Sequence, residues 1–260
     1  EIVFNKLVSR IITKDNKVRG VETQGGEIFK SKYVVSNSDI TYTYKNLLNN
    51  DFSKCESFKK IDSFTPGYSI FIVYLTLNKV LKDTCEFGPG VWYVPDRKYF
   101  FDKLDFMGEK MTGLRGVFLS IASKLDESLS PPGKDQVRIM VNTKFCSQNF
   151  WGKNAKKLSN SLIELGEDVI PGLKESIICE GRATSVTMKN YSLNHEGSVC
   201  GWMNTVDQIN NPVLNDLPKI QNLQFVGHWV TQKYGNGGVA MAAETGKKAA
   251  NLIIKEIRNE

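Results

Sequence analysis

The stretch of this sequence with the clearest chemical potential is a glycine-rich loop, residues 235–240, which matches the pattern G-x-G-x-x-A. A short strand, residues 223–226, is predicted before the loop, and Gly227 closes that strand. A long amphipathic helix is predicted after it, from Val239 to Arg258. Glycines let a phosphate approach the backbone, and the unpaired amides at a helix N-terminus carry partial positive charge. The stretch could therefore bind a phosphate group.

The pattern alone is incomplete as a dinucleotide-binding fingerprint. Such a site also needs a second parallel strand after the helix and an acidic residue about 20 residues beyond the loop. Here the predicted helix occupies the remaining residues, and Glu256 lies inside it. The pattern by itself favours a plain tight loop over a phosphate site and leaves both interpretations open.

Other reaction chemistries find little support. The two histidines are too few for a histidine-rich metal centre. The cysteines are odd in number and have no C-x-x-C spacing, which argues against a disulfide framework or a zinc site and favours a reducing, cytoplasmic compartment. No nucleophile elbow, phosphate-binding P-loop or carboxylate pair stands out. We therefore predict no metal ligand and assign no catalytic residue.

Composition places the chain among ordinary globular proteins, with 260 residues, 41% hydrophobic and 24% charged. The net charge of +6 comes from dispersed basic residues and indicates a solvated surface. Weak attraction to an anionic membrane surface is the main alternative, whereas no motif supports nucleic-acid binding. The most apolar stretch, residues 68–77, is too short to span a membrane and is typical of a buried strand.

The chain alternates between strand-rich and helical segments. A β-meander is predicted over residues 1–35. The stretch Ser36-Asn37-Ser38-Asp39 is predicted to supply capping residues for a helix over residues 40–48, which a polar linker to residue 62 follows. Further strands are predicted at residues 69–77, 91–94, 117–122 and 137–141, and a further helix at residues 154–167.

Four stretches share both sequence and order with a known group of flavoproteins. Residues 1–39 end in VVSNSD, residues 125–134 read LDESLSPPGK, residues 197–202 read GSVCGW, and NLQFVG at 222–227 is followed by GGVA at 237–240. These stretches resemble the phytoene-desaturase, carotenoid-isomerase and retinol-saturase group of FAD-dependent oxidoreductases. The resemblance covers nearly the whole chain.

The resemblance implies which residues contact the cofactor FAD. In this group the helix N-terminus faces the pyrophosphate and ribitol side of the flavin. The implied cofactor-binding positions in the closing motif are Gly227, Gly235, Gly237, Gly238 and Val239.

Two further positions complete the implied site. Val8 matches a meander valine whose backbone faces the adenine in related flavoproteins. His228 departs from the group, which usually has an acidic residue there, although a neutral imidazole can still accept one hydrogen bond. A histidine simply packed beside Trp229 is the alternative.

The resemblance also implies the fold class, which is α/β (α+β). We expect a partial FAD-binding domain of the glutathione-reductase-like type, residues 1–50 and 205–260, and a substrate-binding domain with a mixed β-sheet, residues 51–204. The group opens with a G-x-G-x-x-G Rossmann unit that this sequence lacks, so we expect a truncated chain, a split gene or a lost unit. The chain alone is then expected to be inactive and to expose an apolar face.

The function implied by the resemblance is FAD-dependent desaturation, saturation or isomerisation of carbon–carbon bonds in an apolar polyene or lipid. Expected partners are an apolar small-molecule substrate, a membrane surface contacted peripherally, and either an N-terminal half or a second copy of the chain. A non-enzymatic module that binds lipid or protein without FAD is the first alternative. An amine-oxidase-like flavoenzyme is the second.

Overall fold

The computed structural model describes residues 1–48, 55–81, 87–95, 116–209, 216–230 and 238–259. They form two compact units, Glu1–Gly67 with Leu193–Glu260, and Tyr68–Ser192. The first unit extends further than the predicted FAD-binding domain at both internal boundaries. The reason is that Phe58, Ile61 and Trp202 are buried in its core.

The first unit begins with a three-stranded antiparallel meander. Its strands are β1 (Val8–Lys14), β2 (Lys17–Thr23) and β3 (Ile28–Lys30), in the order β1-β2-β3. The β1–β2 turn is tight because Asp15 and Asn16 both take positive φ, at 53° and 55°, as the primed hairpin turns require. The predicted meander is therefore confirmed, although residues 1–7 form no strand.

The strand predicted to end the meander belongs to a different sheet. β4 (Val34–Ser36) pairs with β10 (Leu223–Phe225) in a two-stranded parallel sheet, from which the long helix α6 (Val239–Arg258) follows. The predicted bounds of α6 are confirmed residue for residue. Because the ends of parallel strands meet at one edge, this pair brings together two segments far apart in sequence.

Two short helices lie between the meander and the second unit. α1 (Ile40–Tyr42) continues as one π-helical turn, Thr43–Leu47, so the predicted helix over residues 40–48 is present with altered geometry. α2 (Glu56–Asp62) occupies part of the segment predicted to be a linker. It forms because Phe58 and Ile61, one turn apart, both reach the core of the first unit.

The second unit is built on a five-stranded sheet of order β6-β7-β8-β5-β9, flanked by the helix α3 (Gln148–Val169) and by the shorter α4 (Leu173–Ser176) and α5 (Ser185–Ser192). The strands are β5 (Ser69–Leu77), β6 (Gly90–Tyr93), β7 (Val117–Ser120), β8 (Asp135–Thr143) and β9 (Ile177–Ala183). All its described pairings are antiparallel, so the prediction of a mixed sheet was wrong in this detail. The regular inside–outside alternation along β8 is typical of an antiparallel sheet packed on one face.

One face of this sheet and the helix α3 enclose the second core. Phe71 from β5 stacks on Trp151 of α3, with ring centroids 5.1 Å apart. Leu158 and Leu162, one turn apart on α3, are fully buried against the sheet. No helix within the described residues is both long and apolar enough to cross a bilayer.

A carboxylate fixes strand β9 to helix α3 and gives the second unit a pH dependence. Burial opposes ionisation of Glu180, but hydrogen bonds from Lys156, Ser159 and Arg182 outweigh it and lower its pKa to about 2. The pKa is lower in the folded state, so this stabilisation is present above about pH 4.5 and is lost as the pH falls towards 2.

We expect the second unit to lose about 2 kcal/mol of unfolding free energy between pH 5 and pH 2 through Glu180, after allowing for solvent screening. Urea denaturation at a series of pH values measures this loss. The variant Glu180→Gln should show a flatter profile below pH 4.5. An unchanged acid slope in that variant would mean that other carboxylates determine the acid sensitivity.

Candidate functional site

The candidate site lies at the carboxyl ends of the parallel strands β4 and β10. In their register Leu223 lies opposite Val34 and Phe225 opposite Ser36. The chain therefore leaves both strands at the same edge, after Ser36 in one case and after Phe225 in the other. In open α/β sheets this is the edge where ligands bind.

Gly227, the first predicted site residue after β10, is held in a conformation that suits only glycine. Its φ is +92°, and a Cβ there would overlap Oδ1 of Asn37, which follows β4. Its amide donates a hydrogen bond of 2.8 Å to Oγ1 of Thr245, and that hydroxyl donates to the carbonyl of Ala242 at 2.7 Å. The second turn of α6 is therefore tied directly to the end of the strand pair.

The N-terminus of α6 has no side-chain cap among the described residues. Gly238 is its N-cap residue, with φ of +87°, and a Cβ there would meet no described atom within 4 Å. The first turn contains no acidic residue, and Val239 is 88% exposed. The amides of the first turn have no intrahelical acceptor, and the helix dipole adds positive potential there. This end of the helix can therefore accept an anionic group.

His228 begins a short 3-10 turn, His228–Val230, directly after Gly227. Its ring lies 5.5 Å from that of Trp229, measured between centroids. Burial lowers the pKa of His228, and the nearby Asp39 carboxylate only partly opposes this effect. The imidazole is therefore neutral at pH 7 and has one nitrogen that can accept a hydrogen bond. Contact with Trp229 and a role at the site are compatible.

Asp39 is one of the four residues predicted to cap α1, and it has a second role that the sequence did not predict. It caps α1 as predicted, since Oδ1 accepts hydrogen bonds from the amides of Thr41 and Tyr42 and from the Thr41 hydroxyl. In addition, Oδ2 accepts a hydrogen bond of 2.7 Å from the amide of His195. Asp39 is only 2% exposed, so it joins α1 to a distant loop inside the first unit.

The predicted turn at residues 197–202 supports the same region. The hydroxyl of Ser198 donates to the carbonyl of Gly201 at 2.7 Å. Gly201 has φ of +79° and lies against the backbone of His228, which leaves no room for a side chain. Asn37, Gly201 and Thr245 lie in stretches that carry the resemblance but were not predicted as site residues, because each acts through a contact that only the fold creates.

The predicted cofactor-binding residues are placed unequally by the structure. Gly227 and His228 lie together at the end of β10, and Gly238 and Val239 open the helix that Thr245 ties to Gly227. Val8 is the first residue of β1. Gly235 and Gly237 lie outside the described residues. A cleft of about 840 Å³ in the first unit runs beside β10, and none of the predicted site residues that the structure describes lines it.

A parallel strand pair that ends in a glycine turn and leads into a glycine-opened helix defines an α/β protein of the cofactor-binding kind. The model of the family described as flavin containing amine oxidoreductase matches residues 1–254. The chain belongs to this family. The suspected kinship with amine-oxidase-like flavoproteins is thereby confirmed.

The curated relatives that match include enzymes of carotenoid metabolism. A lycopene-forming phytoene desaturase from Pseudescherichia vulneris is 25% identical over 267 residues, which cover 99% of this chain and 52% of the relative. A 4,4'-diaponeurosporene oxygenase from Staphylococcus aureus strain MW2 is 24% identical, over 97% of this chain and 50% of the relative. The chain thus spans about half the length of the curated relatives it matches.

Solved structures confirm the α/β fold class. An oxidoreductase from Methanosarcina mazei superposes with a TM-score of 0.54 at 17% identity, over 93% of this chain and 48% of that one. Putrescine oxidase bound to putrescine gives a TM-score of 0.58 at 9% identity, over 96% and 49%. Reduced UDP-galactopyranose mutase gives 0.57 at 12% identity, over 91% and 44%. These likenesses concern the fold alone.

Proposed function

We propose that this chain forms part of an FAD-dependent oxidoreductase that acts on carbon–carbon bonds of an apolar polyene or lipid. The observation that carries the proposal is the uncapped, glycine-opened N-terminus of α6, tied through Thr245 to the end of the parallel strand pair. Membership of the flavin-containing family and similarity to phytoene desaturases support the choice of cofactor and substrate class. Desaturation, saturation and isomerisation all remain within the proposal.

The residues present fit a flavin dinucleotide. The amides of the first turn of α6, beside Gly238, suit a pyrophosphate, because no described side chain caps them and the first turn contains no acidic residue. The neutral imidazole of His228 suits a ribitol hydroxyl, and the backbone at Val8 suits the adenine. Bound flavin would supply the redox chemistry. The protein would orient the cofactor and exclude water, and no side chain of this chain is assigned as an acid or base.

The apolar substrate would contact the face of the second unit's sheet opposite α3. A row of partly exposed side chains runs along that face from strand to strand, since Met140 pairs with Phe118 and Phe118 with Trp92. The rings of Phe118 and Trp92 lie 5.0 Å apart, and Trp92 is 67% exposed. An extended polyene would gain affinity along such a row mainly by burying apolar surface.

A second polypeptide segment would complete the flavin site. None of the glycines in the 260 residues forms a G-x-G-x-x-G motif, so a segment carrying that motif must hold the other side of the pyrophosphate. The outer face of α6 exposes Ile254 and Ile257, at 46% and 54%, and β4 exposes Val35 at 48%. These side chains offer that segment, or a second copy, an apolar surface. The 260 residues alone would then be inactive.

Contact with a membrane surface is also part of the proposal. An apolar lipid substrate is concentrated in membranes, and the net charge of +6 favours approach to anionic headgroups. Such contact would be peripheral.

The test is the visible absorption spectrum of the natural full-length protein, compared between the wild type and the variant Val239→Asp. We expect a flavin spectrum from the wild type and an FAD affinity about tenfold lower in the variant, because the added carboxylate repels the pyrophosphate. The same substitution should leave the fold stable or slightly stabilise it, since an acidic residue favours a helix N-terminus.

Asn251→Asp is the matched control, because it adds the same charge on the exposed surface of α6 far from its N-terminus. It should leave the FAD affinity unchanged. If the natural full-length protein contains no flavin, the proposal is wrong, and a non-enzymatic binding module that kept the fold is favoured instead. Equal FAD affinity in Val239→Asp and wild type would remove the helix N-terminus from the site.

A further inference from the structure

The second unit contains a cavity that neither the flavin site nor the apolar sheet face accounts for. It has a volume of about 430 Å³ and lies beneath the turn that carries Pro131, Pro132 and Gly133. Val80 and Asp135 line it from neighbouring strand ends. Its volume lies within the range of small-molecule pockets, and it is far larger than a single buried water requires.

Two serine hydroxyls in the wall of this cavity are buried and make no hydrogen bond within the described residues. They are Oγ of Ser123, a residue that is only 8% exposed, and Oγ of Ser130. A buried hydroxyl without a partner costs free energy, so such a group usually has an external partner. Each hydroxyl can donate one hydrogen bond and accept others.

Asp135 supplies an acceptor in the same wall. It is 3% exposed, and its Oδ2 accepts a hydrogen bond of 2.6 Å from the amide of Leu81. That bond fixes the carboxylate and leaves Oδ1 able to accept from a ligand. Among the described residues that line the cavity, Lys124 and Lys134 balance Glu127 and Asp135, so these side chains favour neither a cation nor an anion.

Apolar side chains are exposed next to the cavity. Val80 lines it and is 48% exposed, and Leu125 and Leu129, which adjoin the lining residues Lys124 and Ser130 in sequence, are 77% and 53% exposed. Exposed leucines beside a cavity offer a surface for an apolar chain. Polar groups inside the cavity and apolar groups beside it together suit an amphiphile whose polar end enters first.

We propose that this cavity binds the hydroxyl end of a neutral long-chain alcohol. The ligand hydroxyl donates to Asp135 and accepts from Ser123 and Ser130, while its chain lies across Leu125 and Leu129. This site stands apart from the proposed flavin chemistry and does not depend on it.

Equilibrium dialysis of the 260-residue chain with labelled 1-decanol tests the proposal. We expect saturable binding of 1-decanol, and about tenfold weaker binding in Ser123→Ala and in Ser130→Ala, because each loses one hydrogen bond to the ligand. Methyl nonyl ether, which has the same number of heavy atoms but no donor, should bind at least about tenfold more weakly. Labelled glycerol distinguishes a small polyol from a long-chain alcohol and should not bind.

Ser161→Ala is the control in the same unit, because Ser161 is not among the residues that line the cavity and its hydroxyl already donates to the carbonyl of Lys157. It should bind 1-decanol like the wild type. The melting temperatures of Ser123→Ala and Ser130→Ala should be unchanged or raised, since each variant removes an unpartnered hydroxyl. Equal binding of alcohol and ether, preferential binding of glycerol, or lowered melting temperatures with wild-type binding would each overturn the proposal. Lowered melting temperatures with wild-type binding would indicate that the two hydroxyls bind ordered water molecules rather than a ligand.

Discussion

Gly227→Ala should destabilise the first unit by about 4 kcal/mol, because the substitution combines backbone strain with a steric overlap. Any residue other than glycine is strained at its φ of +92°, and the new methyl group would meet Oδ1 of Asn37. If the segment around Gly227 moves away from Asn37 to relieve this overlap, the hydrogen bond from the amide of Gly227 to Thr245 breaks as well. The end of β10 and the helix α6 should therefore separate, and flavin retention in the full-length protein should fall with them.

Hydrogen exchange measured by mass spectrometry localises this effect. Peptides from β4, β10 and α6 should exchange faster in Gly227→Ala, while peptides from the second unit keep their protection. Gly246→Ala is the matched control, because a Cβ at that helical position meets nothing within 4 Å. It should stabilise α6 by up to about 1 kcal/mol.

The double variant Gly227→Ala with Asn37→Ala separates the two contributions. Asn37 is exposed, so its own truncation should cost little, yet it removes the overlapping atoms. Partial recovery of protection is expected, since the strain in φ persists. If Gly227→Ala alone is as stable as the wild type, the backbone after β10 must be able to move away from Asn37, and the close packing described here does not restrict residue 227.

The sequence was a good guide wherever local chemistry determines the structure. The small and apolar residues of α6 recur at helical spacing, so its bounds were predicted correctly. Capping residues were predicted over Ser36–Asp39 from their place before a helical segment, and Asp39 is the one that caps α1. Strand β5 was also predicted with its observed bounds, because β-branched and aromatic residues fill it. In each case the signal lies within a few consecutive residues.

Prediction from the sequence failed where contacts between distant segments determine the structure. β9 was missed because Glu180 and Arg182 stand on the face that meets α3, where the pattern of a half-buried strand requires apolar residues. The ion pair between Glu180 and Lys156 offsets the free-energy cost of burying polar groups on that face. The parallel pairing of β4 with β10 was likewise invisible, since no local pattern specifies which strand is the neighbour.

The same division applies to the candidate site. Gly227 and Gly238 could be found from a motif, because a positive φ restricts the residue type at the position itself. Asn37 and Thr245 could not, because a side chain that packs on a glycine or accepts from its amide carries no local signature. Residues that hold a site together through tertiary contacts are therefore the ones that sequence reasoning misses most readily.

Asp39→Ala should also cost the first unit about 4 kcal/mol of unfolding free energy. The substitution leaves the buried amide of Thr41 and the half-buried amides of Tyr42 and His195 without their acceptor, and an unsatisfied buried donor costs about 1–3 kcal/mol before relaxation. It also removes the cap of α1, whose loss alone costs about 1 kcal/mol. The sum is reduced because water can reach part of the opened region.

Asp39→Asn distinguishes the cap from the bridge to His195. An asparagine keeps one carbonyl oxygen for the amides of Thr41 and Tyr42, but its NH₂ group cannot accept the hydrogen bond from the amide of His195. We expect about half the loss seen for alanine, with faster hydrogen exchange at His195 and normal protection in α1. If both variants expose α1 and His195 equally, the carboxylate charge itself must stabilise the network, and the two halves of the first unit must be held by electrostatics rather than by this bridge.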